Sequence, residues 1–337
     1  MYQPVANKSG WRVWGLDRVV EDMKRAMATR PRHAYILSGP DHVGKRTLAL
    51  EFARALTCQT PPRIAVPCGT CLNCRRATRG VQTDITYANL ETQTNRERGA
   101  TRNTSLNIAT VREVSSSVAL RPGEGEWRIA IVDDVETMQE TAQEAFLKTL
   151  EEPPPYTIIL LLTTDADLLL PTIRSRCVTY MLQPSADKDV RDALEASDVD
   201  HALAATIAAA SDGRVGWGML AANDQALLSD RLEDTRIAQQ WASAGGYERL
   251  VTATKLADQF AKDREAVFVQ LLTVQRTWRS IMLRTFDTAR SSEGPLSGLN
   301  QIVDAVRSVE TCILDLESNV RPRLAIQSMV LRWPPTA

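Results

Sequence analysis

Apolar residues recur at intervals of three and four over 16–27 (Leu16, Val19, Val20, Met23, Met27), a spacing that predicts an amphipathic helix. Ala34-Tyr35-Ile36-Leu37 is a short apolar run ending at Gly39-Pro40, which predicts a buried strand and then a turn. A second helical spacing covers 45–56, with Leu48, Ala49, Phe52, Ala53 and Leu56 on one side. Further strand-like runs cover 84–90, 128–132, 157–163 and 177–182, with helical stretches near 107–119 and 137–151 between them. Strands alternating with helices predict an α/β fold, a parallel sheet covered on both faces. The stretch 137–151 carries Met138, Ala142, Ala145, Phe146 and Thr149 on one face, and Pro153-Pro154-Pro155 stops it. Over 91–104, threonines and arginines follow no period, which predicts an exposed, mobile loop.

Beyond Pro184 the strand pattern ends. Residues 185–222 predict short Ala-rich helices around Asp212-Gly213, and 223–335 are helical apart from breaks at Gly245-Gly246 and near Ser291-Ser292. The expected organisation is an α/β domain at 11–183, a small helical domain at 184–222 and a larger all-helical domain at 223–335.

Charge and composition narrow the function. The 40 Lys+Arg against 41 Asp+Glu leave a formal net charge of −1, so no global field draws the chain to nucleic acid or an anionic membrane. Arginines 75, 76, 79, 96, 98 and 102 read as solvated side chains rather than a phosphate-binding patch. The longest aliphatic run, 158–162, is too short to span a bilayer. No basic region followed by an apolar stretch opens the chain, and the expected location is the cytoplasm.

Gly39-Pro40-Asp41-His42-Val43-Gly44-Lys45 follows a predicted strand and opens a predicted helix, the setting of a P-loop. There, backbone N–H groups turn toward phosphate oxygens, and Lys45 reaches the β and γ phosphates of ATP, or the β phosphate of ADP. The motif places Ser or Thr directly after the lysine as a Mg²⁺ ligand; this chain has Arg46, with Thr47 one position further and about 100° around the helix. The apolar run 129–132 ends in Asp133-Asp134, carboxylates placed to hold Mg²⁺ and to activate water. Active sites of this type carry Glu second, and Asp134 is one methylene shorter.

Of the six cysteines, Cys58, Cys68, Cys71 and Cys74 crowd into 58–74. Two Cys-x2-Cys spacings supply four thiolates for a structural Zn²⁺ with no open position, whereas free thiols or a redox pair would not need all four. Cys177 and Cys312 read as small buried hydrophobes.

Together these residues resemble the bacterial clamp-loader branch of the AAA+ ATPases. The resemblance is carried by Val132-Asp133-Asp134, by the run Leu147-Lys148-Thr149-Leu150-Glu151-Glu152-Pro153-Pro154, by Thr163-Thr164-Asp165 and by Ser175-Arg176-Cys177. It is specific over 11–182 and rests on length and helical character beyond. It implies a P-loop parallel five-stranded sheet with an inserted zinc module at 58–74, then a small helical lid domain and an all-helical collar domain. It also implies a hetero-pentameric ring with tau/gamma and delta subunits, which loads a sliding clamp onto primer–template DNA. Arg176 then corresponds to an arginine finger acting on a neighbour's ATP, and Thr163 or Thr164 to a γ-phosphate sensor. Lys45-Arg46, Asp133-Asp134 and Gly213-Arg214-Val215-Gly216, with Gly216 where a sensor arginine would stand, all depart from the hydrolysing pattern. They imply a subunit that is not a competent ATPase alone; the alternative is an ATP-hydrolysing tau/gamma-type member.

Overall fold

The computed structural model describes residues 5–60, 66–96, 104–292 and 298–335, which form two compact units, Met1–Asp224 and Gln225–Ala337. In the first unit the elements run α1 (Asp17–Thr29), β1 (Ala34–Ser38), α2 (Lys45–Thr57), α3 (Leu72–Thr78), β2 (Ile85–Ala88), α4 (Leu90–Arg96), α5 (Ile108–Ala119) and β3 (Arg128–Val132). They continue with α6 (Glu140–Glu151), β4 (Thr157–Thr163), α7 (Pro171–Arg174), β5 (Val178–Met181), α8 (Asp187–Glu195), α9 (His201–Ala210) and α10 (Val215–Asn223).

The five strands form one parallel sheet in the order β2-β3-β4-β1-β5. β1 and β4 are buried along their whole length, because helices cover both faces. Alternate side chains divide between those faces. Tyr35, Leu37, Ile131 and Leu160 join Met23 of α1 and Leu48 and Phe52 of α2. Ile36, Val132, Ile159 and Leu161 join Val111 and Val114 of α5 and Phe146 and Leu150 of α6. Because the strands are parallel, the segments after β1, β3 and β4 meet at one end of the sheet, where open α/β sheets bind ligands.

Two expectations need correction. The helix predicted from residue 137 begins at Glu140, because Val135–Thr137 make a 3-10 turn closed by Thr137 Oγ1 donating to the Asp134 carbonyl. The loop predicted over 91–104 opens instead as helix α4. Asn89 and Thr92 cap it reciprocally: the Asn89 N–H donates to Thr92 Oγ1 at 2.9 Å and the Thr92 N–H to Asn89 Oδ1 at 2.8 Å. Residues 97–103 of that stretch, with Arg98 and Arg102, lie outside the described residues.

Helices α8, α9 and α10 pack on one another within the first unit through Val190, Leu194 and Ile207. The close approach is made at Gly218, where an added Cβ would lie 3.2 Å from Val190 Cγ1.

The second unit consists of α11 (Gln225–Ser243), α12 (Gly246–Phe260), α13 (Arg264–Ser292), α14 (Leu299–Glu317) and α15 (Pro322–Leu331). Their core includes Leu256, Leu271, Val309 and Ile326 and centres on Trp333, whose ring meets Trp241 at 5.0 Å and Trp278 at 5.4 Å, both edge-on. No helix among the described residues is long and apolar enough to cross a membrane.

Candidate functional site

The loop 39–45 is pinned at its start between two strands. The Gly39 N–H donates to the Thr163 carbonyl at 3.1 Å, and a Cβ at Gly39 would lie 2.3 Å from the Leu182 carbonyl oxygen, so only glycine passes there. Gly44, with φ of 105°, turns the chain into α2 through a backbone conformation closed to most side chains. His42 also sits in the left-handed region, at φ 64°. Lys45 is 9% exposed, and its Nζ donates to the Gly39 carbonyl at 2.6 Å and the Pro40 carbonyl at 3.1 Å, with Asp41 Oδ1 at 3.5 Å. The ammonium is thus held inside the loop by atoms that a phosphate would replace.

Arg46 extends its guanidinium over the Tyr87 ring, 4.3 Å from the centroid, and Tyr87 donates its hydroxyl to Asp133 Oδ2 at 2.8 Å. Burial, and then the Asp133 charge, push the Tyr87 phenol well above its ordinary range, so it stays a donor. Asp134 has left-handed backbone, φ 57°, and its Oδ2 accepts the Leu90 N–H at 3.2 Å. Burial raises its pKa; the Leu90 N–H opposes that, while Asp133, Glu136 and Asp41 add to it. Thr164 donates both its hydroxyl, at 2.8 Å, and its N–H, at 3.2 Å, to Glu136 Oε1. Thr47 lies half-buried one position past Arg46 on α2.

The residues fit a phosphate chain but not Mg²⁺. The position that should supply a hydroxyl ligand carries a fixed cation, and the Asp133 carboxylate is engaged by a phenol.

The first turn of α10 rests on the loop. The Gly216 N–H donates to the His42 carbonyl at 2.8 Å, and an added Cβ at Gly216 would lie 2.8 Å from that same oxygen. Position 216 therefore has no room for an arginine reaching into the site in this arrangement.

Arg176 lies two residues before β5, at the amino end of the sheet, while the P-loop lies at the carboxyl end. Its NH2 donates to Glu151 Oε1 at 2.7 Å and its NH1 to the Thr172 carbonyl at 2.8 Å. Glu151 ends α6, which brings it to that same end of the sheet.

The sulfur atoms of Cys58, Cys68, Cys71 and Cys74 all lie within 4.8 Å of one another, with Cys68 and Cys74 4.0 Å apart. Tetrahedral Zn–S bonds of about 2.3 Å imply sulfurs roughly 3.8 Å apart, so the cluster fits a four-thiolate metal site. Backbone N–H groups of Cys68, Cys71 and Cys74 donate to the Sγ atoms of Cys58, Cys68 and Cys71 in turn, at 3.3 to 3.4 Å, as thiolates require. The Thr60 hydroxyl, foremost, and neighbouring N–H groups bring the Cys68 thiol down to about 5. Asn73 Nδ2 donates to the Thr57 carbonyl at 3.0 Å, fastening the module to the end of α2. Cys312 is buried, and burial pushes its thiol up to about 12.

Tyr87 and Glu136 were not singled out by sequence reasoning, and Glu151 entered it only within the run 147–154, with no partner assigned. Each stands outside a recognised phosphate motif or metal spacing, and each acts by holding a motif residue.

The parallel sheet and its glycine loop define a P-loop α/β domain of the AAA+ kind. The family model described as "DNA polymerase III, delta subunit" matches residues 16–186, half of the chain, and the chain belongs to that clamp-loader family. The tau subunit of DNA polymerase III from Salmonella typhimurium is 32% identical over 201 residues, covering 58% of this chain and 29% of the tau subunit. The gamma/tau subunit from Mycobacterium bovis is 27% identical over 305 residues, covering 82% of this chain and 51% of that protein. The chain thus matches between a quarter and about half of the length of these relatives. A solved gamma subunit-related protein from Thermotoga maritima aligns with 93% of this chain and 97% of its own at 18% identity, with a TM-score of 0.41.

Proposed function

We propose that this chain is a delta prime-type subunit of the DNA polymerase III clamp loader. It anchors the ring and donates Arg176 to ATP held by a neighbouring subunit, without hydrolysing ATP efficiently at its own loop. Its partners are tau/gamma and delta subunits in a hetero-pentameric ring, joined through the unit formed by α11–α15. Together they load the sliding clamp onto primer–template DNA in the cytoplasm. Zn²⁺ is a structural ion on Cys58, Cys68, Cys71 and Cys74.

The observation that carries this reading is the separation of Arg176 from its own P-loop. The sheet places them at opposite ends of β1 and β5, roughly 15–20 Å apart at about 3.3 Å per strand residue. An arginine so placed serves a phosphate only on another chain. There its guanidinium neutralises charge developing on the transferred phosphoryl group.

The similarity to tau and gamma subunits favours a second reading, a hydrolysing subunit that uses Lys45, Thr47, Asp133 and Asp134. Arg46 beside Tyr87 weighs against it. Turnover by this chain alone, and by tau/gamma with delta before and after its addition, separates the two. The proposal expects negligible turnover alone and a rise on addition to the ring; vigorous turnover by the isolated chain supports the hydrolysing subunit.

A further inference from the structure

The Arg46, Tyr87 and Asp133 arrangement reaches beyond the absence of a metal ligand. We infer that the P-loop of this chain takes the phosphates of a nucleotide without a divalent cation, the Arg46 guanidinium standing in place of the metal. This rests on reading 39–45 as a phosphate loop and is independent of the role given to Arg176.

A P-loop that uses Mg²⁺ needs an oxygen directly after its lysine and a carboxylate free to hold the ion's water shell. Arg46 offers five N–H donors and no lone pair for a cation. Its place over Tyr87 is fixed by the ring, and that ring is in turn fixed by the hydrogen bond to Asp133. A divalent ion entering here would meet a permanent cation and a carboxylate already bonded to a phenol. A phosphate chain would meet two cations, Lys45 and Arg46, on successive residues at the N-terminus of α2, together with the loop's own N–H groups. Guanidinium binds phosphate oxygens in pairs, so it replaces both the charge and the directional contacts a metal supplies. Asp134 turns one carboxylate oxygen, Oδ2, to the Leu90 N–H.

The experiment is equilibrium binding of ATP to the full chain at constant ionic strength, with excess Mg²⁺ or with EDTA. The inference expects saturable binding in both, with dissociation constants within about threefold. In Arg46→Thr, which restores the hydroxyl, removal of Mg²⁺ should weaken binding by about tenfold or more. Should that variant not fold, Arg46→Gln removes the charge while keeping length, and its binding in EDTA should weaken by about tenfold. A larger loss of wild-type affinity in EDTA, no saturable binding in either medium, or metal-independent binding by the folded variant overturns the inference. Because the readout is binding to the isolated chain, its failure is distinct from failure of the trans-acting arginine, which appears only as turnover in the ring.

Discussion

Arg176 and Glu151 form an ion pair of 2.7 Å within the chain, with side chains 33% and 48% exposed. An exposed pair of this kind contributes about 1 kcal/mol at most, so in the proposed ring a neighbour's phosphate would displace Glu151 at small cost. Glu151→Gln should leave thermal stability nearly unchanged and lower the half-saturating ATP concentration of the assembled ring by up to about fivefold. Turnover lost to the same degree as with Arg176→Ala would show instead that Glu151 orients the arginine.

Gly216 lies against the P-loop so closely that a methyl group would sit 2.8 Å from the His42 carbonyl oxygen. Gly216→Ala must push α10 away from the loop and strain the hydrogen bond between them. Chemical denaturation should show a loss of about 1–3 kcal/mol, the range for an overpacked contact. An unchanged midpoint would mean that α10 moves freely there.

The Asp134 carboxyl has a folded-state pKa raised, first by burial, above its unfolded value. Between those two values the folded state holds the proton more tightly, so the carboxyl makes stability fall as pH rises through them. Asp134→Asn removes that penalty and keeps an oxygen for the Leu90 N–H. The variant should be more stable than wild type at neutral pH, with the advantage vanishing as acid protonates Asp134. A gain that grows in acid would reverse this assignment.

Four thiolates closing one site predict one tightly held zinc per chain. Cys71→Ser should reduce bound zinc, measured by elemental analysis, and loosen α3, whose N-cap is the Cys71 sulfur. The sheet has its own buried core on both faces and should retain its circular dichroism. A full zinc complement in the variant would place the metal elsewhere.

The second unit depends on Trp333, which touches Trp241 and Trp278 and lies beneath the Arg249 guanidinium. Trp333→Ala leaves a cavity among these rings and should cost about 3–5 kcal/mol in urea unfolding of the intact chain. A cost below about 1 kcal/mol would show that the site collapses without loss.

Much of this architecture was legible in the sequence because local and tertiary preferences agree. Continuous aliphatic runs at 34–37 and 157–163 mark strands buried on both faces, and the glycines at 39 and 44 mark a turn that other residues cannot make. Helix α4 escaped because it is short and threonine-rich, although Asn89 and Thr92 carried its capping signal. The partners of the site residues were hidden for another reason. Tyr87 reaches Asp133 from a neighbouring strand 46 residues away, and Glu151 reaches Arg176 from a helix end 25 residues away. Such meetings depend on sheet order, which periodicity does not encode.

The proposed action of Arg176 is on ATP held by another subunit. Its most direct test is DNA- and clamp-stimulated ATP turnover by the ring reconstituted with tau/gamma and delta, carrying this chain as wild type, Arg176→Ala or Lys45→Ala. Arg176→Ala should give a partial loss, because one of several ATP sites then lacks its arginine. Full turnover with Arg176→Ala, alongside a clear loss with Lys45→Ala, would contradict it and make this chain a hydrolysing subunit.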